Sequence, residues 1–431
     1  MAKTLDVYLH NELVGHLIQD EGGQTVFEYA QTWLDRPGAT ALSVSLPLRK
    51  ERFSRDECRG FFAGVLPEES KREIIARNLG ISARNDFAML ERIGGECAGA
   101  VTFIPAGQPL PGRDYHYRAI SSKQLADIFK ELPKRPLLAG EEGIRLSLAG
   151  AQDKIAVRIE GDEISLPLGG APSTHILKPS IERFAGVVSN EALTMHLAAA
   201  AGLPAAKVEV RAAEQIQYLS VERYDRRHVQ SGSVTTLERL HQEDFCQALN
   251  VVPEMKYQKE GGPSLKQCFE LVREVSSAPV IDLARLLDAV IYNYLIGNSD
   301  AHGKNFSLLY HQAGTANQEI RLAPLYDVIS TVYYPELSNE MAMKIGDEYR
   351  SERVTPRDFE KLADQAGLAK PLVLRRVPEL AQTVLDAING VAIPSEVAQS
   401  VAALIRKRCG ATLHRFRIGV DTENRPKKQT Q

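Results

Sequence analysis

The chain has 431 residues, 44% of them hydrophobic and 25% charged, with 52 basic against 55 acidic side chains and a net charge of −3. That length exceeds one simple core and predicts two or three domains of ordinary globular composition. The charge gives no whole-chain signature of nucleic-acid binding; the local clusters Arg406, Lys407, Arg408 and Arg425, Lys427, Lys428 are of a kind usually found on solvated surface. Five widely spaced cysteines without a C-x-x-C indicate neither a disulfide framework nor a zinc site. The N-terminus lacks an apolar signal segment and no apolar run reaches bilayer length, so a cytoplasmic location without membrane contact is expected.

In chain order, alternating residues predict strands at 5–9 and 14–18, joined by a turn at Asn11-Glu12, with further strands at 26–29 and 41–46. One helical stretch opens at Phe61, continues through 71–78 and stops at Gly80; a short helix covers 86–92. Together with 94–104 these form an N-terminal α+β unit over 1–104. Turn formers from Pro105 mark a boundary, and 105–143 is expected to be a linker with a connecting helix.

Residues 144–224 read as a β-rich unit. Ala149, Gly150 and Ala151, followed by Gln152, Asp153 and Lys154, let a backbone approach a ligand closely, as phosphate-cradling loops require. The run is neither a G-x-x-x-x-G-K-[ST] loop nor a multi-glycine kinase loop, and a tight hairpin also explains it. Strands at 155–159, 174–178, 208–211 and 217–224 contribute to a five-stranded antiparallel sheet. Lys178 ends one strand, and a helix capped by Ser189 carries Asn190 and Glu191 in its first turn. Kinases fix their phosphate-contacting lysine with such a helix glutamate; a solvent-facing lysine and a glutamate complementing the helix dipole are the plainer reading. Glu222, Arg223 and Tyr224 end the last strand, where a hinge backbone would read an adenine edge.

Helices are expected to dominate 225–420, at 243–249, 265–276, 281–296 and 355–416, the last broken at Pro378, Gly390 and Pro394; a polar tail over 421–431 is expected to be disordered. Within this part stands Asp300-Ala-His-Gly-Lys-Asn305. A carboxylate and an amide separated by four residues can meet an incoming hydroxyl and hold a magnesium ion from one short loop, the spacing used by kinase-like phosphotransferases. Alone, the pattern is weak. Asp327, in Leu325-Tyr326-Asp327-Val328, suits a second magnesium ligand or a simple turn cap.

Several blocks in one order then resemble a family, the HipA-type serine/threonine kinase toxins of bacterial type II toxin–antitoxin modules. They are Phe61-Phe-Ala-Gly-Val-Leu-Pro-Glu, Leu146-Ser-Leu-Ala-Gly-Ala-Gln-Asp-Lys, His175-Ile-Leu-Lys, Val221-Glu-Arg-Tyr-Asp-Arg, Gln242-Glu-Asp-Phe-Cys-Gln, Asn298-Ser-Asp-Ala-His-Gly-Lys-Asn-Phe and Leu325-Tyr-Asp-Val-Ile-Ser. The resemblance implies an α+β, protein-kinase-like two-lobed fold, with a β-rich N-lobe, an all-helical C-lobe and the added N-terminal subdomain. It implies ATP and Mg2+ as cofactors, Asp300 as catalytic base, Asn305 and Asp327 as metal ligands, and Lys178, partnered by Glu191, neutralising phosphate. Residues 149–154 would cover the nucleotide, Glu222, Arg223 and Tyr224 would form the hinge, and His302, Gly303, Lys304 and Tyr326 would line the ATP site.

In this family a serine matching Ser147 is autophosphorylated. A phosphoserine carries roughly −1.5 to −2 charges, so beside such a loop it should repel nucleotide, eject the loop and switch the enzyme off. The implied partners are a small helix-turn-helix antitoxin of HipB type, operator DNA reached through it, and a protein substrate such as an aminoacyl-tRNA synthetase. Asn298 stands where kinases place a histidine, Val328 and Ile329 replace Phe-Gly, and no A-P-E element is present. A weakly catalytic corepressor and a small-molecule phosphotransferase are the alternatives.

Overall fold

The computed structural model describes residues 2–112, 115–181, 183–231 and 234–423. Leu5, Val7 and Leu9 alternate with more exposed neighbours and are wholly buried, which sets β1 (Lys3–Leu9) against a core. With β2 (Glu12–Gln19), β3 (Thr25–Tyr29) and β4 (Val101–Pro105) it forms an antiparallel sheet of order β3-β2-β1-β4. Around it lie the short α1 (Gln31–Leu34), then α2 (Arg55–Gly64), α3 (Glu69–Leu79) and α4 (Asp86–Ile93).

Two expectations fail in this unit. The strand at 41–46 is only an isolated bridge between Ser43 and Leu46. Its polar groups turn to another part of the chain: Ser43 Oγ and Val44 N donate to Glu243, and Ser45 Oγ to Gln247 O. The helical stretch expected to open at Phe61 begins instead at Arg55, behind a Ser54–Glu57 capping box, and is two helices, because Pro67 disfavours helical backbone at Leu66 and Glu68 is extended.

The second sheet has six strands rather than five: β5 (His116–Ile120), β6 (Ile155–Glu160), β7 (Glu163–Leu168), β8 (His175–Pro179), β9 (Val208–Ala213) and β10 (Ile216–Glu222), all antiparallel in the order β5-β7-β6-β8-β10-β9. The added strand comes from the expected linker. It lies on the sheet edge with its side chains mostly exposed, so it carries no buried alternation to read. It leads into α5 (Ser122–Glu131), started by a Ser121–Gln124 capping box. Helix α6 (Val187–Ala200) is buried along most of its length. It begins two residues before Ser189, with Gly186 in a left-handed conformation at its cap, so Glu191 sits in the second turn.

A hairpin of β11 (Arg226–Ser231) and β12 (Val234–Arg239) leads to the other lobe. That lobe is mostly, not wholly, helical. Residues 243–249 are the end of β13 (His241–Asp244) and one turn, α7 (Phe245–Ala248). The long α8 (Leu265–Val275) and α9 (Pro279–Ile296) precede β14 (Ser307–His311) and β15 (Glu319–Leu322), which join β13 in a three-stranded sheet. A small β16 (Glu340–Ile345)–β17 (Glu348–Arg350) pair follows, then α10 (Pro356–Ala366), α11 (Lys370–Ala387) and α12 (Glu396–Glu423). Pro378 lies inside α11 rather than breaking it, held by buried Val373, Val377, Leu380 and Val384. The expected tail begins within α12, and 424–431 fall outside the described residues.

One continuous apolar core joins both sheets and the C-terminal helices. All five cysteines are buried and unpaired. Among the described residues, no helix is long and apolar enough to cross a membrane.

Candidate active site

Helix α9 ends at Gly297, whose φ of 74° turns the chain sharply toward Asp300. Asn298, the departure from the kinase pattern, is a buried anchor: its Oδ1 accepts the Asp300 backbone N–H at 3.1 Å and its Nδ2 donates to Asn293 Oδ1 at 2.8 Å. Ser299 N donates to Thr331 Oγ1 at 2.7 Å, pinning the loop to the segment that follows Asp327. Asn305 Nδ2 donates to Asp300 O at 3.2 Å, which leaves the amide oxygen to accept elsewhere. Gly303 is required by packing, since a Cβ there would lie 2.8 Å from Pro263.

Lys178, on β8, is buried and donates to Glu191 Oε1 at 2.6 Å and to Asp327 Oδ1. Burial opposes its charge, but Asp327 and Glu191 outweigh that and raise it above the usual lysine range. The Lys178 ammonium in turn holds Asp327 well below the usual carboxylate range. Asp327 has a φ of 56°, a left-handed backbone unusual for an aspartate, and its side chain is 47% exposed. The turn is over-determined by α6: Asn190 exchanges two 3.0 Å bonds with the Ser330 backbone, and Thr194 Oγ1 donates to Val328 O at 2.6 Å. One helix therefore positions both the lysine's partner and the second aspartate.

The loop over 149–154 is closed by its own lysine, Lys154 Nζ donating to Ala149 O at 2.7 Å. Gly150 has a φ of 99°, and a Cβ there would meet Lys154 Nζ at 2.8 Å. The N-terminal unit holds this loop from below. Gly150 N donates to Glu68 Oε1 at 3.2 Å, Lys71 pairs with Asp153 at 2.6 Å, and fully buried Ser147 donates to Val65 O at 2.8 Å. Ala151 and Gln152 line the cleft beside them.

The other expected residues divide. Tyr224 and Tyr326 meet at a tilt of 34° with centroids 5.4 Å apart, and Tyr326 Oη donates to Lys304 O at 2.7 Å. His302 is buried, kept neutral by that burial, and its Nδ1 has no partner among the described residues. The Lys304 ammonium is occupied, donating to Asp244 Oδ2 at 2.7 Å and Gly64 O at 3.0 Å. The Arg223 side chain faces away from the hinge into a buried cluster with Asp225, Glu96 and Ser173. Glu222 is exposed beside Lys207. The hinge N–H groups of Glu222 and Arg223 already donate to Lys207 O and Thr174 O at 2.8 and 2.9 Å. Sequence reading missed Glu68, Lys71, Asp244, Lys256 and Tyr257. Glu68 and Asp244 stood inside recognised blocks, but only the fold brings them to the cleft.

Lys178, Glu191, Asp300, Asn305, Asp327 and the loop over 149–154 line a cleft of about 1390 Å³ between the two lobes and the N-terminal unit, whereas Ser147 and Gly303 are not among its lining residues. Among the described residues no three His, Cys, Asp or Glu side chains are grouped to hold a metal. Asn305 and Asp327 offer oxygen donors, a set that would suit magnesium completed by phosphates and water. The ionised Asp327, the free amide oxygen of Asn305 and the orphaned His302 nitrogen fit a nucleotide–magnesium ligand.

The HipA-like C-terminal domain family matches residues 146–388, and the HipA N-terminal domain family matches residues 5–104. The chain belongs to the HipA family. It is 48% identical over 396 residues to the Sinorhizobium fredii protein named "Putative kinase Y4mE", covering 90% of this chain and 92% of that one. It is 30% identical over 400 residues to the serine/threonine-protein kinase toxin HipA of Shewanella oneidensis, covering 90% and 89%. A chain of the Shewanella oneidensis MR-1 complex of HipA, HipB and operator DNA matches with a TM-score of 0.81 at 28% identity, over 96% of this chain and 97% of that one. The HipA relationship spans both units of the fold, including the N-terminal one that closes the cleft.

Proposed function

We propose that this protein is an ATP- and magnesium-dependent serine/threonine-protein kinase that acts in the cytoplasm as the toxin of a toxin–antitoxin module. The observation that carries the reading is the convergence of Asp300, Asn305, Asp327 and the Lys178–Glu191 pair, from four separate segments, on one cleft. Asp300 accepts the proton of a serine or threonine hydroxyl as its oxygen takes the γ-phosphate and ADP leaves. Lys178 presents its ammonium to the phosphates, and Glu191 keeps it charged and aimed. Asn305 and Asp327 hold the magnesium, which neutralises phosphate charge when bound. The loop over 149–154 covers the nucleotide, with Tyr224 and Tyr326 as its aromatic wall.

Autophosphorylation of Ser147 turns the enzyme off. The hydroxyl is fully buried against Val65, so it meets a phosphate donor only with the loop displaced. A phosphoserine of roughly −1.5 to −2 charges cannot return to that dry position. A HipB-like helix-turn-helix antitoxin neutralises the toxin and carries it to operator DNA, a reading supported by the HipA–HipB–DNA composition of the Shewanella complex. The substrate class is a translation protein such as an aminoacyl-tRNA synthetase, as the family resemblance implies.

Expression in a bacterial host tests the biological side. Wild type should arrest growth, Asp300→Asn should not, and co-expression of a cognate HipB-like helix-turn-helix antitoxin should relieve the arrest. Equal arrest by wild type and Asp300→Asn would detach toxicity from phosphotransfer.

A further inference from the structure

The N-terminal unit reaches the phosphotransfer residues themselves, through a tyrosine. Tyr257 lies between two single 3-10 turns, Pro253–Met255 and Gln258–Glu260. Its hydroxyl donates to Asp300 Oδ1 at 2.7 Å, and its ring meets His302 edge-on with centroids 5.4 Å apart. Asp300 Oδ2 accepts no bond among the described residues, so one oxygen of the carboxylate is fixed and the other is open. Burial and the adjacent Asp300 charge push the phenol above its usual range, so it stays a neutral donor. A neutral donor suits a base, because it fixes the carboxylate without cancelling its charge, as a lysine there would.

The platform under Tyr257 is held from the N-terminal unit. Lys256 Nζ donates to Glu68 Oε2 at 2.9 Å and to Glu69 Oε1 at 3.1 Å. Glu68 is 5% exposed, and its other oxygen accepts the Gly150 N–H of the nucleotide loop at 3.2 Å. One buried carboxylate thus grips the nucleotide loop with Oε1 and the Tyr257 platform with Oε2. A bidentate tie of this kind makes the two positions depend on each other.

We propose that Glu68, Lys256 and Tyr257 form a positioning relay through which the N-terminal unit aligns Asp300 for proton abstraction while the nucleotide loop is seated. The relay rests on the kinase reading and deepens it. Tyr257 acts through Asp300, Lys256 acts through the Tyr257 platform, and Glu68 acts on both that platform and the nucleotide loop. Ejection of the Ser147 loop then withdraws Gly150 from Glu68, loosens Tyr257 and disorders the base, so the switch disables chemistry as well as nucleotide binding.

The test is steady-state phosphotransfer by full-length wild type, Tyr257→Phe, Glu68→Gln and the double variant, with Mg-ATP affinity and melting temperature read on each. Tyr257→Phe should lower kcat roughly tenfold, the scale of one hydrogen bond to a charged group, with the KM for ATP unchanged and the melting temperature lower by no more than a few degrees. Glu68→Gln should lower kcat and raise the KM for ATP. In the Tyr257→Phe background its kcat effect should vanish while its KM effect stays. If Glu68→Gln does not fold, Lys256→Met breaks the same link and carries the same expectation for kcat. Additive losses in kcat, or a Tyr257→Phe enzyme with wild-type kcat, would overturn the relay alone. A wild type that transfers no phosphate would remove the kinase reading and the relay with it.

Discussion

Lys178 Nζ stands 2.6 Å from Glu191 Oε1, tying β8 to α6 across the buried back of the cleft. The same ammonium bonds Asp327, so it ties both carboxylates to one point of the cleft. Replacing Lys178 with Met should therefore do two things. It should abolish phosphotransfer, and it should cost on the order of 3 kcal/mol of stability, because it strands a buried carboxylate. Glu191→Gln, which leaves Lys178 paired with Asp327, should lose activity with a smaller loss of stability. Urea unfolding of both variants beside wild type decides it; stabilities equal to wild type in both would show that the pair contributes nothing to the fold.

Ser147 separates a lost hydrogen bond from an added charge. Ser147→Ala gives up the bond to Val65 O and should cost about 1 kcal/mol, with Mg-ATP affinity near wild type. Ser147→Asp places a charge where the hydroxyl is wholly buried and should weaken Mg-ATP at least about tenfold by keeping the loop out. Calorimetric titration with a non-hydrolysable analogue compares them. Unchanged affinity in Ser147→Asp would refute loop ejection by charge.

Glu243 predicts a pH dependence of the fold. This fully buried carboxyl takes bonds from Ser43, Tyr310 and Val44 N, and burial pushes it up to about 7. Its folded value lies above the unfolded one, near 4.3, so the folded state binds the extra proton. That contribution is complete below about pH 4 and is lost as pH rises to about 7, a difference on the order of 3 kcal/mol. Glu243→Gln should flatten the stability profile across pH 5 to 7, measured by chemical unfolding. A wild-type profile with no downward slope from Glu243 in that window would contradict the assignment.

How much of this was legible in the chain depends on the range of each contact. Asp300 and Asn305 share one short loop, and Lys178 and Glu191 lie on adjacent elements, so local spacing marked them as candidates and the ordered family blocks singled them out. Strand β5 was hidden because an exposed edge carries no apolar alternation. Residues 41–46 looked like a strand because their side chains alternate, but their polar groups are satisfied by Glu243 and Gln247, about 200 residues away. The Lys304 side chain was expected to line the ATP site, yet its ammonium ties the lobe to the N-terminal unit, and the Arg223 side chain, which the backbone hinge reading left aside, does the same. Glu68 and Tyr257 were invisible for the same reason in reverse: a glutamate after a proline and a tyrosine in a loop gain meaning only beside Gly150 and Asp300.

The most direct measurement is transfer of label from γ-labelled ATP with magnesium, wild type beside Asp300→Asn, with phosphosites mapped by mass spectrometry. The account predicts label on the wild type alone, with Ser147 among the sites. Equal label on both proteins, or nucleotide binding by neither, would contradict phosphotransfer at Asp300.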